Sequence, residues 1–237
     1  MHDSEHSLAA VDPLWGSPPQ ALLGRVPSVL PTHRRVVALT FDAGGDDRGL
    51  PRIYTTLTRL HATGTFFMTG HFASYYRGWT RRLASRFPVC NHTMNHLDLV
   101  GLSDFEVRAE IVLGGETIRR ADGTRPQPLF RFPYGTYDTR TLRVVNALGY
   151  AAVGWTVDTA GWLGTSGGQS VATVVERALA ALRPGAIVLM HVGANPADGT
   201  TLDAHALATL IQRIRARGYL LVGLPAAYAA LYPSWTR

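Results

Sequence analysis

The chain has 237 residues, 46% of them hydrophobic, and a formal charge of +6 carried by 23 basic side chains that are all arginine. That is enough apolar material for one full core, and no apolar run reaches the length of a membrane span. One cysteine, Cys90, excludes an internal disulfide, and its apolar neighbours mark it as a small buried hydrophobe rather than a nucleophile.

The arginines are scattered. Arg81-Arg82, Arg119-Arg120 and Arg213, Arg215 and Arg217 fall on apparent helix faces without interleaved aromatics. This reads as a solvated basic surface suited to anionic surroundings such as a cell-wall polymer, not as a nucleic-acid interface.

The start, Met1 to His6, has no basic-then-apolar leader pattern. Residues 1–34 carry Pro13, Pro18, Pro19, Pro27 and Pro31 with little periodicity, which predicts an extended arm that wraps the rest or stays mobile. One domain follows over 35–237. Val36 to Phe41 is the first strand, an apolar run delivering Asp42 to a glycine turn at Gly44-Gly45. Thr65 to Met68 is the second.

Next comes Asn91-His92-Thr93-Met94-Asn95-His96, predicted as one helical turn that aims two imidazoles at one point, which is how a protein grips a divalent metal. Two solvated histidines on a helix face would share that spacing. His2, His6, His33, His61, His71 and His205 read as ordinary surface histidines.

Ser103 with Glu106 has capping-box spacing before a helix running to about Arg120. Further strands are expected at Leu129 to Phe132, Ala151 to Trp155, Ala186 to Met190 and Leu220 to Val222. Asp138 would cap a helix ended by Gly149, and Asp203 a helix over Ala204 to Arg217 with Gly218 just beyond. Gly164 to Gly168 is a flexible loop, since a phosphate cradle would need a lysine.

Strands alternating with helices imply an α/β fold with a largely parallel sheet, and ligands gather at the carboxyl ends of such strands. Asp42, His92 with His96, Arg131-Phe132-Pro133-Tyr134, Asp158 with Trp162, and Leu189-Met190-His191 all follow apolar segments in that way.

Those five groups, in that order, resemble the NodB-homology polysaccharide deacetylases, carbohydrate esterase family 4, over about Val36 to Leu224. The resemblance implies a distorted (β/α) barrel, parallel strands inside and helices outside. It implies removal of acetyl groups from N-acetylated glycan of the peptidoglycan or chitin type, with release of acetate. It also implies a divalent metal, zinc first, with cobalt, nickel or manganese as the other options. The expected setting is secreted or cell-envelope, and the expected working form is a monomer.

Hydrolysis of an amide needs an activated water, stabilisation of an oxyanion and a proton for the leaving amine. On the resemblance, His92 and His96 hold the metal, Asp42 is the base and His191 the acid. Arg131 orients Asp42, the Tyr134 N–H completes the oxyanion site, and Tyr134, Trp162 and Leu189 line the sugar groove.

Two positions depart from the family pattern. Ala43 stands where the family has a metal-binding aspartate, so Asp46 or Asp47, Asp46 first, is expected as the third ligand, with Asp42 itself the other option. Gly161 stands where the family has the aspartate that tunes the catalytic histidine, a role then falling to Asp158. A non-catalytic carbohydrate-binding relative is the alternative these departures raise.

Overall fold

The computed structural model describes residues 18–124 and 126–233. Its strands are β1 (Val36–Ala43), β2 (Thr65–Met68), β3 (Val89–Asn91), β4 (Gln127–Phe130), β5 (Ala151–Ala152), β6 (Val157–Asp158), β7 (Ala186–His191) and β8 (Leu220–Leu221). They run β5-β4-β3-β2-β1-β7-β6, with β8 on the lower part of β1, and every strand pairing is parallel. The sheet curls into a distorted barrel with no ladder between β5 and β6 among the described residues.

The α-helices among the described residues are α1 (Leu50–Arg59), α2 (Gly70–Tyr75), α3 (Arg77–Ala84), α4 (Asp104–Asp122), α5 (Thr139–Ala147), α6 (Val171–Ala180), α7 (Leu202–Ala216) and α8 (Leu224–Leu231). None of them is long and apolar enough to cross a membrane.

Strand alternation divides the apolar residues into two layers. Val37, Leu39, Phe41 and Ala43 of β1 join Val188 and Met190 of β7 in the main core, together with Leu207, Leu210 and Ile211 of α7. Ala38 and Ile187 face the barrel interior with Phe67, Leu129 and Val153. Asp42 and His191 continue that inward-facing series at the carboxyl ends of β1 and β7.

Of the proline-rich segment, residues 1–17 lie outside the described residues. The remainder packs on the barrel: Leu22 and Leu30 are buried in its interior layer, and Gly154 N donates to Pro27 O at 3.0 Å.

Helix starts follow the local chemistry. Ser103 and Glu106 form the expected capping box on α4, and Asp138 caps α5 through the Thr141 N–H. Such caps contribute about 1 kcal/mol each. The expected cap at Asp203 is not found. Helix α7 begins at Leu202 after Thr201, and Asp203 lies inside its first turn with its side chain buried.

Candidate active site

Asp42 and His191 are register partners on the neighbouring parallel strands β1 and β7, which sets an acid and an imidazole side by side at the barrel mouth. Arg131, wholly buried just past β4, reaches Asp42 from across the barrel. Its Nη1 donates to Asp42 Oδ1 at 2.8 Å and to Thr40 Oγ1 at 2.9 Å, and its Nη2 donates to Gly154 O at 3.1 Å. The guanidinium also lies 4.0 Å over the Phe67 ring. An arginine suits this place because its planar fork serves several acceptors at once. Burial works against the Asp42 charge, but Arg131, His92 and His191 outweigh it and hold the carboxyl below its usual range.

His92 follows β3, buried, with Nδ1 2.8 Å from Arg131 O. That contact assigns the proton to Nδ1 and leaves a lone pair on Nε2. Nε2 is buried, has no hydrogen-bond partner among the described residues, and lies 3.5 Å from Asp42 Oδ2. Burial pushes the His92 pKa down to about 4, so the ring is neutral near pH 7. The His96 ring stands 4.7 Å from it, centroid to centroid, and Tyr134 meets His96 edge-on at the same distance.

The segment carrying the two histidines is not a helical turn. It is a loop in which Thr93 and His96 take left-handed φ values of 70° and 60°. Two left-handed non-glycine residues are costly and need outside support. Asn91 supplies part of it, accepting from Thr93 N at 3.0 Å and donating to Ile111 O of α4 at 2.8 Å. Buried Glu110 supplies more, accepting from Met94 N, Asn95 N and Asn95 Nδ2. Helix α4 can approach only because residue 114 is glycine, since a Cβ there would fall 2.6 Å from the Thr93 carbonyl. Tyr134 and Ala160, both with φ near 59°, complete a cluster of strained residues around the site.

Two imidazoles, one with a bare buried lone pair and its other nitrogen fixed by a carbonyl, fit a divalent cation of the kind that takes nitrogen ligands. No group of three or more His, Cys, Asp or Glu side chains is placed to hold a metal ion among the described residues. Asp46 is not brought to the histidines. Its carboxylate accepts from Arg48 Nε at 2.9 Å and from the N–H groups of Arg48 and Ala194 at 3.0 Å. Ala43 is wholly buried in the outer apolar layer.

His191 is surrounded by acids. Its backbone N–H donates to Asp203 Oδ2 at 2.8 Å, and its ring Nδ1 lies 3.7 Å from Asp203 Oδ2 and 3.9 Å from Asp158 Oδ1. Burial lowers its affinity for a proton, but Asp203, then Asp42 and Asp158, outweigh that and raise its pKa above the usual histidine value. Asp158 Oδ2 also accepts from Trp162 Nε1 at 3.2 Å, holding a half-exposed indole 6.3 Å from the His191 ring. Leu189 sits one inward-facing position below His191, buried. Asp203 and Glu110 are the site residues that motif reading missed.

An acid and an imidazole in register beside two nitrogen donors is the equipment of a metal-assisted hydrolase. A family model described as polysaccharide deacetylase matches residues 30–153. A chitooligosaccharide deacetylase of Bradyrhizobium sp. (strain ANU 289) is 36% identical over 203 residues, 81% of this chain and 90% of that protein. The solved Bc1960 peptidoglycan N-acetylglucosamine deacetylase superposes with a TM-score of 0.76 at 29% identity, covering 84% of this chain and 91% of that one. A mutant of BA3943, a CE4 family pseudoenzyme with restored enzymatic activity, superposes at 0.74 with 25% identity, covering 82% and 67%. The chain belongs to the polysaccharide deacetylase family, and is an enzyme of the hydrolase class.

Proposed function

We propose that the chain removes the N-acetyl group from N-acetylglucosamine-type units of a chitin-like or peptidoglycan glycan, releasing acetate and leaving a free amine. The observation that carries this reading is the register pairing of Asp42 with His191 beside the bare Nε2 of His92. One reacting centre can then meet a base, an acid and a metal-type nitrogen.

Asp42, ionised and oriented by Arg131, takes a proton from the attacking water. The Tyr134 backbone N–H donates to the carbonyl oxygen as negative charge grows on it. His191, whose charged form its acidic neighbours favour, gives its proton to the departing nitrogen as the C–N bond breaks. Trp162 offers its exposed indole to a sugar face, and Leu189 forms the apolar floor near the acetyl methyl. His92 and His96 would hold the divalent cation, zinc first given two nitrogen donors, and that ion when bound supplies Lewis acidity and a more acidic water. Polymers of this kind favour a secreted or envelope setting, where the all-arginine surface would meet anionic wall components.

The rival reading is a non-catalytic glycan binder, favoured by Ala43 and by the two-histidine donor set. Acetate release from N-acetylated chitooligosaccharide, measured with and without added zinc, separates the two. Metal-dependent release supports the deacetylase, and binding of the oligosaccharide without release supports the binder.

A further inference from the structure

Gly161 and Asp203 compete for one volume. A Cβ built on Gly161 would lie 2.5 Å from Asp203 Oδ1, 2.6 Å from its Cγ and 2.8 Å from its Oδ2. The Asp203 carboxylate therefore fills the space a side chain at position 161 would enter. It arrives there from α7, a different element from the loop that carries Gly161, and its side chain is only 3% exposed.

A buried carboxylate is stable only when its oxygens are satisfied. Asp203 Oδ1 accepts from the Thr159 hydroxyl at 2.7 Å, and Oδ2 accepts from the His191 backbone N–H at 2.8 Å. The same Oδ2 lies 3.7 Å from His191 Nδ1, a buried atom with no hydrogen-bond partner among the described residues. Around that ring stand Asp42 from β1, Asp158 from β6 and Asp203 from α7, with the Trp162 indole beside it. Asp158 is the poorer anchor. It is farther from Nδ1 at 3.9 Å, is 28% exposed, and is already bonded to Ala160 N and Trp162 Nε1.

We infer that Asp203 is the positioning residue of His191, and that glycine at position 161 is the other half of the same device. The carboxylate comes from the α7 helix because the loop beside it leaves the space open. Asp203 fixes the ring with Nδ1 toward itself and leaves Nε2 to carry the proton that is transferred. The inference rests on the deacetylase reading, in which His191 protonates the leaving nitrogen. It adds that the acid's partner has moved between two elements that are separate in sequence.

The test moves the carboxylate back. Asp203→Asn, Asp203→Gly, Gly161→Asp and the double variant Gly161→Asp/Asp203→Gly are assayed for acetate release from N-acetylated chitooligosaccharide with zinc present. In parallel, the His191 ring nitrogens of wild type and Asp203→Asn are followed by 15N NMR. Asp203→Asn is expected to lower kcat about 100-fold, the low end of what general acid–base catalysis contributes, with KM changed less than about twofold. Gly161→Asp alone is expected to be as damaging, because two carboxylates then occupy one space. The double variant is expected to recover at least about tenfold in kcat over Asp203→Gly, a reversal of sign that a purely structural Asp203 would not produce. Wild-type kcat in Asp203→Asn, or no gain in the double variant over Asp203→Gly, overturns the inference. Where the wild type itself releases no acetate, the deacetylase reading fails, and the NMR comparison alone then decides. An unchanged His191 Nδ1 signal in Asp203→Asn contradicts the pairing, and a shifted one supports it.

Discussion

Asp42 Oδ1 and Arg131 Nη1 meet at 2.8 Å, and the guanidinium that makes the contact is wholly buried. A buried charge of this kind is tolerable only while its partner and its remaining acceptors are present. Arg131→Met is therefore expected to cost about 3–5 kcal/mol of stability, read from urea denaturation, because it leaves Asp42 buried without its counter-charge. Arg131→Lys is expected to recover only part of that, since an ammonium cannot serve Asp42, Thr40 and Gly154 from one plane. Stability of Arg131→Met within about 1 kcal/mol of wild type, roughly the worth of one hydrogen bond, would contradict a structural role for the ion pair.

Glu110 braces the histidine loop through three hydrogen bonds to Met94 and Asn95. Glu110→Ala is expected to weaken zinc binding about 10- to 100-fold, the usual cost of losing a group that orients metal ligands. Isothermal titration with zinc measures it. An unchanged affinity would mean that the loop holds its left-handed residues without this acid.

The pH profile of kcat should be broad, because the two proton-transfer groups are pushed apart. Asp42 must be ionised, and its pKa is held below the ordinary 3.8, so the base survives into acid. His191 must be protonated, and its pKa is raised above 6.5, so the acid survives toward the alkaline side. Asp158→Asn removes one of the charges favouring the imidazolium, and should move the alkaline limb to lower pH. A limb that stays in place or moves upward would remove Asp158 from the group of acids acting on His191.

Trp162 is half exposed and is held by the Asp158 carboxylate, a geometry suited to stacking on a sugar. Trp162→Ala is expected to raise KM about tenfold with a smaller change in kcat, as when a contact made equally in ground and transition states is lost. Loss confined to kcat would instead tie the indole to His191.

Much of this architecture is legible in the sequence because long apolar runs announce themselves. Val36 to Phe41, Thr65 to Met68 and Ala186 to Met190 all form strands, and the first and last of these runs lead directly to Asp42 and His191. Short strands carry less signal: Val89–Asn91 and Val157–Asp158 have three and two residues and pass unnoticed. The spacing of His92 and His96 suggests a helical turn, but spacing says nothing of φ, and two left-handed residues bring the rings together by another route.

Asp203 looks like a helix cap because it precedes an apolar helix. The better signal was its phase: Asp203 falls on the same face as Ala206, Leu207, Leu210 and Ile214, all of them buried. Glu110 sits likewise with Val107, Ile111 and Gly114 on the buried side of α4. An acid on the apolar face of a helix needs a polar partner inside, and here both acids serve the site. Asp46 is near Ala43 in sequence, but the glycine turn sends it to Arg48 and Ala194.

The most direct measurement is acetate released from N-acetylated chitooligosaccharide by metal-free protein as zinc is added back, run beside His96→Ala. A metal-assisted mechanism requires release to rise with zinc and to saturate near one ion per chain, with His96→Ala retaining neither zinc nor activity. Release at full rate without metal, or from His96→Ala, would contradict it.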